Sequence, residues 1–244
     1  MSKNIVDAYK EFNGQLIILI SGLSGSGKSE LGKDICRDFK IKCLDLRKFY
    51  NEKFDVKVKL SNEKIVVNYD NDDAINWSKL SDEVNKMKKD GVLVVGNVFP
   101  IEKLEFKTDF HIHLKISKQE IKQKILDYID KHKEKNFDAE TETLRFNTIT
   151  YPYYLDSLKR MKMTKFMDVT GFTNDKIYDD VFDILIKHIK DNVESYNPHK
   201  PSSNPKAIKH DNLKNNTNSD ITSMLSDGET VIDDEFYVNY THDD

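Results

Sequence analysis

Nine residues from Gly22 to Glu30, GLSGSGKSE, carry the densest chemistry in the chain. Gly22, Gly27, Lys28 and Ser29 satisfy the pattern G-x-x-x-x-G-K-[ST], in which small residues let successive backbone amides turn inward around phosphate oxygens. Gly25 adds a third permissive position, and Ser24, Ser26 and Glu30 complete the stretch expected to hold the phosphates. Lys28 would bridge the terminal phosphates, while the Ser29 hydroxyl would ligate Mg2+. A helix opening near Lys28 adds free amides and the positive end of its dipole. The expected ligand is ATP or GTP with magnesium.

A loop of this kind leaves open what receives the phosphoryl group. In an open parallel sheet, substrates lie beyond the carboxyl ends of the strands, which directs attention to Asp45, Asp70 and the pair Gly96-Asn97. Asp45 has three readings: it orients a hydroxyl or takes its proton, it holds magnesium through a water, or it is a solvated surface acid. Asp70 suits a vicinal diol, because a carboxylate offers only acceptors; the alternative is an acidic turn shared with Asp72 and Asp73. Arg145, just before FNTITYPYY, stands where the chain can fold back over the cleft, to contact substrate or to pair at the surface.

The elements that must position these groups read as alternating strands and helices. Leu16 to Ile20 is an apolar run fit for a buried strand, and Lys28 to Phe39 is the helix after it. IKCL is a second strand, and FDVKVKL and KIVVNY, separated by SNE, suggest an antiparallel hairpin beside the main sheet. Trp77 to Lys88 has helical spacing, GVLVVGN is a third buried strand, and DFHIHLKI is another. Ser117 caps a helix starting near Lys118, a further helical stretch surrounds YPYYLDSLKRM, and KFMDV with Asp175 to Val193 closes the body. This order predicts an α/β fold of the P-loop nucleoside triphosphate hydrolase type: a mostly parallel five-stranded sheet, helices on both faces and a small hairpin insertion.

His111 and His113 point the same way from one strand, but with no third ligand in view they read as structural. Tyr151, Tyr153 and Tyr154 read as packing, Arg160 as a surface residue, and Arg37 as a partner of its helix's carboxyl end.

Composition sets the outer limits. The 244 residues carry a net charge of -4 and 38% apolar residues, so no basic excess advertises nucleic acid, and no apolar run is long enough to span a bilayer. Two cysteines, Cys36 and Cys43, form no disulfide framework, and no signal sequence is evident, so a cytoplasmic protein is expected. Residues 1–196 read as the kinase-like domain. From Asn197 to Asp244 four lysines face nine acidic residues, marking an acidic, mostly disordered tail. Ile221, Met224, Leu225 and Phe236 within it offer anchors for a protein partner. The hairpin leaves both a homo-oligomer and an edge covered within one chain open.

Three segments together, SGLSGSGKS, DLRKFY and NYDNDDAINWSKL, resemble the uridine-cytidine kinases and the nicotinamide riboside kinases. Asn68, Asp70, Asp73, Ala74 and Leu80 stand in places that correspond to the family's motif, and the likeness runs from about Gln15 to Phe99, then weakly to about Ile189. The resemblance implies transfer of the γ-phosphoryl group of ATP to the 5'-hydroxyl of a ribonucleoside, with uridine or cytidine ahead of nicotinamide riboside. It implies that Asp70 binds the ribose hydroxyls and that Phe49 and Tyr50 lie near the nucleobase, while Asn97, placed at the substrate side by its strand end, could compensate for the glutamate missing from the third strand. The family's lid helix corresponds to KQEIKQKILDYIDKHKEK, where Lys122 and Lys124 could reach phosphates and Lys124 matches best.

The chain also departs from the pattern. Arg47 stands where the family has aspartate, so Asp45 must fill that role, and Val95-Gly96 replaces glutamate-glycine at the end of the third strand. The lid has lysines in place of arginines, and lysine lacks the bidentate fork of guanidinium. These departures keep a degenerate, nucleotide-binding regulatory protein open, alongside a kinase of another small hydroxylated acceptor. A GTPase switch lacks support, since no N-K-x-D guanine signature is found.

Overall fold

The computed structural model describes residues 4–132 and 138–195. The expected tail, its boundary near residue 197, and Lys133 and Lys135 of the lid stretch lie outside the described residues.

Five strands form one parallel sheet. They are β1 (Ile17–Ser21), β2 (Lys42–Asp45), β5 (Val92–Gly96), β6 (Phe110–Lys115) and β7 (Lys165–Asp168), in the order β2-β5-β1-β6-β7. β3 (Lys57–Lys59) and β4 (Ile65–Val67) pair antiparallel as a separate hairpin, as the sequence suggested. The three inner strands are buried at nearly every position because both faces of the sheet are covered, with His111 and His113 of β6 the buried exceptions to an otherwise largely apolar run. Alternation sorts their side chains into two cores: Ile18, Ile20, Leu93 and Val95 join one, while Ile17, Leu19, Val92 and Val94 join the other.

The first core is closed by α2 (Lys28–Phe39), α7 (Asn174–Ser195) and α1 (Ile5–Asn13). α1 was not expected from the sequence, although Asn4 caps it and Val6 and Tyr9 share its buried face. The second core is covered by α3 (Trp77–Met87) and a short 3-10 turn, Leu46–Phe49. α4 (Lys118–Lys131) lies over the carboxyl end of the sheet, with the Ser117 hydroxyl accepting from the Glu120 amide at 3.2 Å.

The charged connection after α4 holds more order than the sequence implied. α5 (Ala139–Arg145) runs without a break into a π-helical turn, Phe146–Thr150, and then into α6 (Tyr151–Lys159). Ile149 from the π turn packs with Val58 and Leu60 of the hairpin region. This is the P-loop nucleoside triphosphate hydrolase fold, with β1 central and the glycine loop between it and α2. No helix among the described residues is long and apolar enough to cross a membrane.

Candidate active site

β1 delivers the chain to the loop from the middle of the sheet, where neighbours on both sides leave it no freedom. At Gly22 a Cβ would collide with the Leu114 carbonyl and lie 2.7 Å from Ser26 Oγ, so the turn needs a residue without one. The Gly22 amide donates to Asn97 O at 3.1 Å, tying the loop to the end of β5. Gly27 caps α2 in the left-handed region, φ 81°, and offers the first amides of that helix no side-chain partner. Ser26 Oγ is buried and has no hydrogen-bond partner among the described residues. A phosphate group fits this cradle, since its oxygens would accept from that hydroxyl and those amides.

Lys28 arches back over the loop, its Nζ donating to Leu23 O at 3.2 Å. Burial first and then the charge of nearby Arg47 lower its pKa to about 8, against the opposing pull of Asp45. Lys124 reaches the loop from α4, donating to Gly25 O at 2.8 Å while paired to Glu120 at 2.8 Å. The Glu120 carboxylate also accepts from the Gly171 amide, so one lysine spans the loop and the entrance to α7.

The loop forms one wall of a cavity of about 650 Å³ at the carboxyl ends of the strands. Ser24, Gly25, Lys28, Ser29 and Lys124 line it, together with Asp45, Tyr50, Asp70, Asn97 and Arg145; Asn97 and Asp45 lie beside the loop, the first bonded to the Gly22 amide and the second close enough to act on Lys28. Ten of the residues expected from the sequence thus meet in one space.

The carboxylate of Asp45, at the end of β2, accepts from the Arg47 amide at 2.9 Å and from Arg47 Nε at 3.0 Å. Burial pushes its pKa up, but these hydrogen bonds outweigh burial and hold it below the usual carboxylate range. Asp70 accepts from Thr150 Oγ1 at 2.6 Å. Arg145 faces Glu142 at 3.6 Å, and Tyr50 and Tyr69 lie with ring centroids 5.2 Å apart. Val95 lines the cavity where a carboxylate was noted as missing.

Three residues expected at the site, Phe49, Glu30 and Lys122, lie elsewhere. Phe49 is 6% exposed and sits in the core with Leu46 and Trp77, because positions three apart in a 3-10 turn face the same way. Tyr69, not Phe49, is the ring that joins Tyr50 at the cavity. Glu30 points away from the loop and accepts from Asn174 Nδ2 of α7. Lys122 does not reach the cavity wall, whereas Lys124 does.

Arg160 is not a simple surface residue. It donates to Asp72 at 2.6 Å and Glu102 at 2.7 Å, and the Tyr153 hydroxyl also donates to Asp72, at 2.8 Å. Asp72 is therefore engaged in holding the wall, not open to a substrate. Arg47, Glu142, Thr150 and Tyr153 are the cavity residues the sequence did not reveal. His111 and His113 are buried and hydrogen-bonded to protein groups, in line with a structural role, and no cluster of metal-binding side chains occurs among the described residues.

Neither a family model nor a curated protein matches the chain. Among solved structures it is similar to thymidylate kinase from Candida albicans, at 15% identity and TM-score 0.46, over 72% of this chain and 93% of that one. It is similar to a gluconokinase from Sinorhizobium meliloti at 13% identity and TM-score 0.42, over 74% and 95%. An uncharacterized protein from Eubacterium ventriosum shows 13% identity and TM-score 0.44, over 70% and 98%. Likenesses this distant carry no reading of function, which falls to the cavity itself.

Proposed function

We propose that the chain is an ATP-dependent kinase that phosphorylates the 5'-hydroxyl of a ribonucleoside, with uridine or cytidine preferred. One observation carries this reading: the phosphate loop, Asp45 and Asp70 line a single cavity. A lone phosphate loop would fit many nucleotide-dependent activities, but a carboxylate in the same cavity, held by a hydroxyl, is suited to sugar hydroxyls.

In this mechanism the loop amides, Lys28 and Lys124 hold the triphosphate, and Ser29 and Asp45 are the groups that would hold magnesium. Magnesium, when bound, neutralises charge on the phosphates. Asp70 exchanges its bond to Thr150 for bonds to the ribose diol. Asp45, kept ionised by Arg47, guides the acceptor hydroxyl toward the γ-phosphorus. The Arg47 end of the pair is 70% exposed while Asp45 is half-buried, so the pair opens by the arginine swinging away. Arg47 then offers the planar fork that the lid lysines lack. Most of the acceleration comes from positioning and charge neutralisation.

Val95 favours a second reading, a nucleotide-binding protein with weakened transfer, because it leaves the end of β5 without a carboxylate near the phosphates. ADP release coupled to a dye, with ATP, magnesium and uridine, cytidine, nicotinamide riboside, deoxynucleosides or no acceptor, separates the two. The kinase reading expects acceptor-dependent turnover, a 5'-monophosphate detected by mass, and its loss in Lys28→Ala. Nucleotide binding without acceptor-dependent turnover would overturn it in favour of the second reading.

A further inference from the structure

Behind the phosphate loop, four buried side chains form an unbroken hydrogen-bonded row. Ser21 ends β1 and directly precedes Gly22, and its Oγ lies 2.8 Å from both His111 Nε2 and His113 Nδ1. His113 Nε2 lies 2.8 Å from the Tyr154 hydroxyl, and His111 Nδ1 lies 3.0 Å from Lys162 O. Ser21 and His113 are fully buried, and His111 and Tyr154 nearly so.

Simple valence fixes the direction of the row. The Lys162 carbonyl can only accept, so His111 Nδ1 carries the proton and His111 Nε2 accepts from the Ser21 hydroxyl. That uses the one proton of Ser21, whose oxygen must then accept from His113 Nδ1. His113 Nε2 is left to accept from Tyr154. Burial keeps both rings neutral, lowering His111 to about 4 and His113 to about 3, where the neighbouring His111 and Lys28 further disfavour a proton.

Tyr154 also stands in a telling place. Thr150, one turn earlier, holds Asp70, and the adjacent Tyr153 holds Asp72. One turn of helix therefore bonds to Asp70 and Asp72 on one side and, through His113 of β6, to the end of β1 on the other. A buried polar row with every partner satisfied selects one arrangement of the groups it joins.

We propose that Tyr154 and His113 are positioning residues for the nucleotide: through Ser21 they hold the end of β1, and with it Gly22, in the shape that receives phosphates. The inference rests on the nucleotide reading of the loop. It requires effects on phosphate binding that packing of a tyrosine ring would not produce.

Calorimetric titration with Mg·ADP, well below each variant's unfolding temperature, tests it. Tyr154→Phe and Ser21→Ala should each weaken affinity by about five- to tenfold, the worth of roughly one buried hydrogen bond. The double variant should be no weaker than the weaker single one, since both cut the same row. Nitrogen-15 spectra of the imidazoles should show protonated Nδ1 and bare Nε2 on both rings, with His113 Nε2 shifted by Tyr154→Phe. Unchanged ADP affinity in the folded variants, fully additive losses, or a protonated His113 Nε2 would each overturn the proposal. Absence of ADP binding by the unaltered protein would overturn the nucleotide reading and this proposal together, whereas normal binding with unaffected variants overturns this proposal alone.

Discussion

The phosphate-binding part of the cavity comes mainly from one short loop, with Leu23, Ser24, Gly25, Lys28 and Ser29 lining it, whereas the groups assigned to the acceptor, Asp45, Asp70, Asn97 and Arg145, come from four segments far apart in the chain. In the first part, amides and Ser26 Oγ are left without side-chain partners and await none from the protein. In the second, the charged groups already hold one another: Asp45 with Arg47, Asp70 with Thr150, Arg145 with Glu142. A phosphate meets unpaired amides as well as two engaged lysines, Lys28 on Leu23 O and Lys124 on Gly25 O and Glu120, whereas the acids and the arginine assigned to an acceptor all have side-chain partners to exchange. Affinity for the nucleotide should thus depend on shape, and choice of acceptor on exchange of partners.

The sharpest way to break this contrast is at Gly22. Gly22→Ala places a methyl group against the Leu114 carbonyl and should abolish ADP binding, measured by calorimetry, while the acceptor groups remain intact. Binding retained in this variant would show the cradle to be adaptable. Lys28→Ala keeps the loop's shape and removes its charge, and should lower turnover by about 10²- to 10³-fold, as for loss of an electrostatic donor at a transferring group. Asp70→Asn should lower acceptor-dependent kcat/KM by about 10- to 100-fold, the worth of hydrogen bonds to a charged group, with ADP affinity unchanged. Equal losses in both would merge the two parts into one functional unit.

Smaller effects refine the comparison. Lys28 must be protonated to hold phosphate, so ADP affinity in the free protein should fall as pH rises through about 8, by up to about tenfold per unit, and Lys28→Arg should flatten the profile. In the absence of nucleotide the stability effect has its own sign. Between about 8 and the ordinary value of 10.5 the unfolded chain binds the proton that the folded chain has released, so stability rises with pH across that window. Lys28→Met should remove the rise, read from unfolding midpoints in buffers spanning it. Thr150→Ala should change acceptor KM by only about fivefold, one neutral hydrogen bond's worth, since a substrate is expected to displace that bond anyway.

The contrast between the two parts also explains what was legible in the sequence. The loop and the inner strands could be read because their signals are local: consecutive glycines, and apolar runs such as LIILI. Asp45, Asp70 and Asn97 could be placed because strand ends in a parallel sheet converge on one edge. Thr150 and Tyr153 could not, since their partners Asp70 and Asp72 are about eighty residues away. Phe49 was misplaced because DLRKFY gives no sign of a 3-10 turn, and only that turn separates a buried Phe49 from a cavity-facing Tyr50. Arg160 was misjudged for a related reason: its acidic partners Asp72 and Glu102 come from distant segments. α1 did carry a local signal, Asn4 followed by apolar residues at helical spacing, which was overlooked.

The π-helical turn at Phe146–Thr150 sets the angular phase between two parts of one long helix. An α-helix advances about 100° per residue, so shortening this turn by one residue would restore a regular helix and swing everything before it by about that angle. Tyr153 and Tyr154 would keep their places, while Glu142 and Arg145 would rotate off the cavity. A single residue's worth of length therefore decides whether Arg145 stands at the cavity, so its lining can change by deletion without any substitution inside it.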